Sequence, residues 1–181
     1  MIIGISGKIG SGKSEVARQI KKTFPDKNFK IMSYGYMVKK VTSLLTGINM
    51  KTCLSRNAKN IYLPEWNMTL GEMFQKVGTD CMRNNLHKNT WVISAFSNYN
   101  DENLIFDDVR FINEADGIKE RNGLLIRLEG DPKNVRANDT RNLIHESETQ
   151  LDDYMGFDII YDNNQPIEKI TDLLELIKDK F

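Results

Sequence analysis

Gly7-Lys-Ile-Gly-Ser-Gly12-Lys13-Ser14 has the spacing of an anion-binding loop, Gly-x-x-x-x-Gly-Lys-Ser. Glycines there permit positive φ and let backbone N–H groups approach an anion. A helix beginning at the loop's end adds the positive end of its dipole. In such a loop Lys13 reaches the β- and γ-phosphates of a nucleotide and the Ser14 hydroxyl holds Mg²⁺. Gly7, Ile9, Gly10, Ser11, Gly12, Lys13, Ser14 and Glu15 are the expected cofactor-binding residues, and the cofactors implied are ATP and Mg²⁺. The bland alternative is a glycine-rich turn with an incidental lysine. The flanks argue against it, because Met1–Ser6 reads as a buried strand and Ser14–Ile20 as an amphipathic helix.

A second group of reactive side chains lies at Asp107-Asp-Val-Arg-Phe-Ile-Asn-Glu114. A carboxylate at a strand end beside a P-loop orders Mg²⁺, so at least one of Asp107 and Asp108 is expected at the metal with Ser14. Arg110 would stabilise transferring charge beside bound phosphates, with Glu114 following at once. The alternatives are solvated acids and a surface Arg110–Glu114 ion pair. Lys39 and Lys40 follow Ser33-Tyr-Gly-Tyr36 early in a helix; one could meet a second phosphate, although two helical lysines also read as a wet face. Gln75, Thr79 and Arg83 recur at i, i+4 and i+8, which puts them on one helical face. Gly78 beside them permits close approach. The long polar stretch Glu129–Glu148, with Lys133, Arg136, Arg141 and His145, reads as a lid whose Arg136 and Arg141 fold over ATP, or as a surface loop.

Five apolar runs must position these groups: Ile2–Ser6, Phe29–Ser33, Leu104–Asp107, Leu124–Leu128 and Phe157–Tyr161. Helical patterns separate them. Met37, Val38, Val41, Leu44 and Leu45 form one apolar stripe, and Gly47 marks its end. Thr69-Leu-Gly-Glu72 has the form of a capping box, with Met68 and Met73 as a staple, opening a helix that buries Phe74, Val77 and Cys81. Ser147-Glu-Thr-Gln150 has the same form. Pro166 opens a last helix that buries Ile167, Ile170, Leu174 and Ile177. Alternating strands and helices behind the loop motif predict an α/β P-loop NTPase fold: a doubly wound parallel five-stranded sheet flanked by helices, with a lid. The reading is a single domain over 1–181, with a helical region about 34–92 and a lid about 130–147.

The chain has 181 residues, and its 25 Lys plus Arg balance its 25 Asp plus Glu. That balance argues against a nucleic-acid partner. No apolar run approaches the roughly 18 residues of a membrane helix, so no membrane partner is expected. Cys53 and Cys81 lack metal-type spacing and read as free thiols in a reducing cytoplasm, a host cytoplasm if the chain is viral.

Asp153–Gly156 is too late for a GTPase switch, and no Asn-Lys-x-Asp is present. A short chain with one P-loop and a lid fits a small-molecule kinase. At Pro64-Glu-Trp-Asn-Met-Thr69, Gln75-Lys-Val-Gly-Thr-Asp80, Asn84-Asn85, Trp91-Val92, Asp108-Val-Arg-Phe111 with Glu114, and His145-Glu-Ser-Glu148, the chain resembles the phage-type deoxynucleoside monophosphate kinases. The resemblance implies transfer of the ATP γ-phosphate to a deoxynucleoside 5'-monophosphate, with Mg²⁺. It makes 1–181 one kinase domain with an acceptor-binding helical region about 34–92, and places Lys39 near the acceptor. It lines the acceptor pocket with Gly78, Thr79 and Trp91, and puts Arg110 on phosphate with Glu114 near the substrate. It also makes Asp108 the strand-end acid at Mg²⁺ with Ser14, and suggests a homodimer. Where that family has an arginine, this chain has Gly71; Arg83 or Arg56 could substitute. The alternatives are a dephospho-coenzyme A kinase, whose P-loop is similar to Ile3–Ser14, and an ATP-binding regulator without turnover.

Overall fold

The computed structural model describes residues 1–55, 57–97, 102–134, 146–164 and 170–180, the Ser147 side chain excepted. Its strands are β1 (Ile2–Ser6), β2 (Lys30–Met32), β3 (Tyr62–Leu63), β4 (Met68–Thr69), β5 (Leu104–Val109), β6 (Leu124–Glu129) and β7 (Ile159–Asp162). Its α-helices are α1 (Lys13–Thr23), α2 (Tyr34–Thr46), α3 (Met50–Cys53), α4 (Leu70–Gln75), α5 (Thr90–Ser97), α6 (Ile112–Lys119), α7 (Glu146–Thr149) and α8 (Ile170–Lys178). A π-helix over Lys76–Leu86 continues α4. The chain divides into two compact units, 1–33 with 101–181, and 34–100. No described helix is long and apolar enough to cross a membrane.

The first unit holds the five-stranded sheet, ordered β2-β5-β1-β6-β7, with every pair parallel. A parallel strand covered on both faces must be apolar throughout, which is why β1 reads Ile-Ile-Gly-Ile. Ile3 and Ile5 are fully buried, packed in one core with Val16, Ala17 and Ile20 of α1 and Leu173 and Ile177 of α8. All five expected strands form. The central place of β1 puts the loop that follows it at the carboxyl edge of the sheet, where ligands of such folds bind.

The register between β1 and β5 breaks once: Gly4 pairs with Phe106, but Ser6 pairs with Val109. Asp107 and Asp108 therefore stand opposite Ile5 alone. This is a β-bulge, which re-aims side chains that a regular strand would send to opposite faces.

The second unit is mostly helical, with a short antiparallel hairpin of β3 and β4. The Thr69 box forms: its hydroxyl accepts the Glu72 N–H, and the Glu72 carboxylate accepts the Thr69 N–H at 2.6 Å. Met68 and Met73 join one apolar cluster with Leu70 and Val77. Cys81, expected inside, is exposed. The reason is winding: π turns repeat at i+5, as in His87 N–H to Met82 C=O, so Met82 instead of Cys81 follows Val77 into the cluster. Leu44 and Leu45, read as part of the α2 stripe, are 79% and 52% exposed. Helix α7 starts at Glu146, so Ser147 lies inside it and is not its cap, while Gln150 accepts the Ile112 N–H. Pro166 and Ile167 fall outside the described residues.

Candidate active site

Gly12 caps α1 in the left-handed region, with φ of 86°, and Gly10 lies at 82°. A Cβ on Gly7 would meet the Leu128 carbonyl at 2.5 Å, so the loop's first glycine is dictated by packing on β6. Ser11 is fully buried, and its carbonyl accepts an N–H of Asn163, just past β7, at 2.8 Å. Lys13 Nζ donates to the loop's own carbonyls, Gly7 and, at 2.9 Å, Lys8. Burial, then the nearby Arg110 charge, lower its pKa to about 8 against the pull of Glu148, Asp108 and Asp107. The Glu15 carboxylate, expected at the cofactor, bonds along its own helix to Arg18 and Gln19.

The bulge brings both strand-end acids close enough to act on Lys13. They are held differently. Ser14 lies close enough to Asp107 to draw its pKa down, while Asp108 accepts the Ser33 hydroxyl at 2.6 Å. Burial raises the Asp107 pKa, and Asp108 adds to this against Ser14 and Lys13. A hydroxyl with a half-buried carboxylate beside it is a hard oxygen set of the kind Mg²⁺ selects. Among described residues no three His, Cys, Asp or Glu converge as a self-sufficient metal site, so protein ligands to Mg²⁺ would be completed by phosphate and water.

Arg110 follows the bulge. Its backbone N–H donates to Glu114 at 2.8 Å, and the Phe111 N–H to the same carboxylate oxygen. Glu114 is 2% exposed and caps α6 from inside the fold. The Arg110 guanidinium pairs with Glu148, whose other oxygen accepts the P-loop N–H of Ile9 at 3.2 Å. Burial opposes ionisation of Glu148, but Arg110, Ile9 and Lys13 together lower its pKa. Asp152, one turn on, bonds Lys8 and Arg127, and Arg127 also reaches the Ser6 hydroxyl.

In the second unit Trp91 is 3% exposed and its indole N–H donates to the Gly78 carbonyl at 2.8 Å. A Cβ on Gly78 would lie 3.3 Å from Val38. Gly78 and Trp91 are thus brought together inside the unit. Lys39 is half-buried on α2, near enough to Cys53 to offset part of the rise that burial imposes on that thiol. Gln75 is exposed, and Thr79 and Arg83 are half-buried. The change to i+5 winding at Lys76 removes the geometric basis for a single Gln75–Thr79–Arg83 face.

No protein-family model matches the chain. Over 185 residues it is 30% identical to a protein of Acanthamoeba polyphaga mimivirus named "Putative deoxynucleotide monophosphate kinase", covering 93% of this chain and 91% of that one. The chain belongs to the deoxynucleotide monophosphate kinase family. The fold also matches the crystal structure of shikimate kinase from Aquifex aeolicus, with a TM-score of 0.50 and 15% identity over 99% of this chain and 96% of that one. That likeness shows the P-loop NTPase fold. This kinase is therefore a nucleotide-kinase type of phosphotransferase. At Gly71 a Cβ would lie 3.0 Å from the Lys59 carbonyl and 3.1 Å from its Cβ. The turn Ala58–Asn60 closes the space that a side chain at position 71 would use.

Sequence reasoning quoted Glu148 without a role for it, missed Asp152, Arg127 and Asn163, and did not set Asp107 beside Ser14. One signal was available: Arg127 is a charge inside the apolar run Leu124–Leu128, which calls for a fixed acid partner. Arg136, Arg141, His145 and Arg56 lie outside the described residues, as does most of the lid segment.

Proposed function

We propose that this kinase transfers the γ-phosphate of ATP to a deoxynucleoside 5'-monophosphate, yielding the diphosphate. The observation that carries this reading is the end-to-end kinship with a protein named for that activity, on a chain whose P-loop adjoins two strand-end acids. The loop amides and Lys13 would hold the β- and γ-phosphates. Ser14 with Asp107 would hold Mg²⁺, and Asp108, fixed by Ser33, would take a metal water or the acceptor side. Mg²⁺ supplies charge neutralisation and alignment of the phosphate oxygens. Arg110, anchored through Glu114, would screen charge on the group in flight, joined by Arg136 and Arg141. Lys39, Thr79 and Arg83 are proposed for acceptor recognition, Arg83 as the cation that replaces a residue-71 arginine.

A phosphate acceptor is already anionic, so no strong base is required. Catalysis then rests on alignment, charge screening and exclusion of water. The test is ADP release from Mg-ATP with dTMP, dGMP, dCMP, dAMP, the matching ribonucleotides and dephospho-coenzyme A. Turnover with one or more deoxynucleotides is expected. Turnover with dephospho-coenzyme A alone, or with nothing, would overturn the reading.

A further inference from the structure

The donors that would serve a phosphate are engaged by the chain's own acceptors. Lys13 is folded onto the Gly7 and Lys8 carbonyls. The Ile9 N–H and the Arg110 guanidinium both go to Glu148, whose side chain is 10% exposed. One carboxylate thus bridges a P-loop amide and an arginine, with the geometry of an anion in an anion site. Asp152 makes a second tie from the same segment to the neighbouring Lys8.

We infer that Glu148 is an internal substitute for phosphate, which holds Ile9 and Arg110 in place and is exchanged for the phosphates of the incoming nucleotide. A second anion at these donors would stand beside a buried carboxylate, and like charges in a poorly solvated place repel strongly. The single Ile9 N–H cannot serve both anions fully, and the Arg110 nitrogen that holds Glu148 is lost to a phosphate that takes its place. Nucleotide binding must therefore expel Glu148 and loosen α7 from the loop. Glu148 is in this sense a positioning residue: it orders Arg110 and the loop, and part of the nucleotide's affinity is lost in displacing it. The inference rests on the nucleotide-binding reading of the P-loop.

Two measurements on the full chain test it. The first is calorimetric titration of Mg-ATP into the wild type, Glu148→Gln and Glu148→Ala, each checked for cooperative thermal unfolding. Removal of the competing charge should tighten binding by about tenfold, the scale of one charge-assisted hydrogen bond. Unchanged or weaker binding in the folded variants would overturn the inference while leaving nucleotide binding intact. No binding to any of the three would overturn both. The second is amide exchange in wild-type residues 146–152. Saturation with Mg-ATP should speed exchange there, opposite to the usual protection by a ligand. Slower exchange in that segment would overturn the inference without reference to any variant.

Discussion

Asp107 and Asp108 face one residue, Ile5, across the β1–β5 pair, and the bulge lets both carboxylates act on Lys13. Their partners separate their roles. Asp107 lies beside Ser14 and has a raised pKa, while Asp108 accepts the Ser33 hydroxyl. Asp107→Asn should raise the Mg²⁺ concentration for half-maximal rate by tenfold or more, with Asp108→Asn changing it less. The same Asp107→Asn change should raise stability at neutral pH. A carboxyl whose folded pKa is raised weakens the fold above its unfolded value, and the amide removes that cost. Rate against Mg²⁺ and thermal unfolding at pH 7 check both halves.

Lys13→Ala should lower kcat by about a hundredfold or more, the scale of losing one fixed charge at the reacting group. Its partners are loop carbonyls and its buried charge is disfavoured, so the unfolding midpoint should hold or rise. A variant with wild-type turnover would remove Lys13 from the mechanism.

Glu114→Ala should destabilise by about 2–4 kcal/mol, because the N–H groups of Arg110 and Phe111 both lose their acceptor. kcat should fall with it, since the backbone that carries the Arg110 guanidinium is no longer fixed. Glu114→Gln, which keeps one acceptor oxygen, should recover most of the stability. Denaturant unfolding and steady-state rates on the pair separate anchoring from direct substrate contact.

Tyr154 gives a pH-dependent test. Burial, then its hydrogen bond to Asp116 at 2.8 Å, push its pKa up to about 12. A raised folded pKa means the contribution is complete below pH 10 and is lost as pH rises through 12. The ring is partly solvated, so the contribution is about 1 kcal/mol after screening. Wild type should lose that much more stability than Tyr154→Phe between pH 9.5 and 12, measured by denaturant midpoints.

The P-loop and all five sheet strands were legible because each rests on a local rule: glycines at positive φ, and apolar runs where a parallel strand is covered on both faces. The acids were legible as residue types but not as a pair, since the bulge depends on how β5 registers with β1. Cys81 was misplaced because Val77 and Cys81 fit a 3.6-residue repeat, and nothing local announces the i+5 winding that buries Met82. Glu148 lies 38 residues from Arg110 and 139 from Ile9, so its bridge exists only once the sheet brings those segments together.

Trp91→Phe distinguishes packing from substrate contact in the second unit. The resemblance to phage-type kinases places this ring at the acceptor, yet it is 3% exposed and its indole N–H is committed to the Gly78 carbonyl. Phenylalanine cannot donate there and is smaller, so a buried carbonyl loses a partner and a small void opens. The expected cost is about 1–3 kcal/mol. Gly78 would then be free to drift from Val38, whose methyls lie 3.3–3.4 Å from its Cβ position. If the ring acts through packing, the unfolding midpoint falls and acceptor KM changes less than twofold at a temperature well below the transition. A large rise in KM with stability unchanged would place the ring against the acceptor instead.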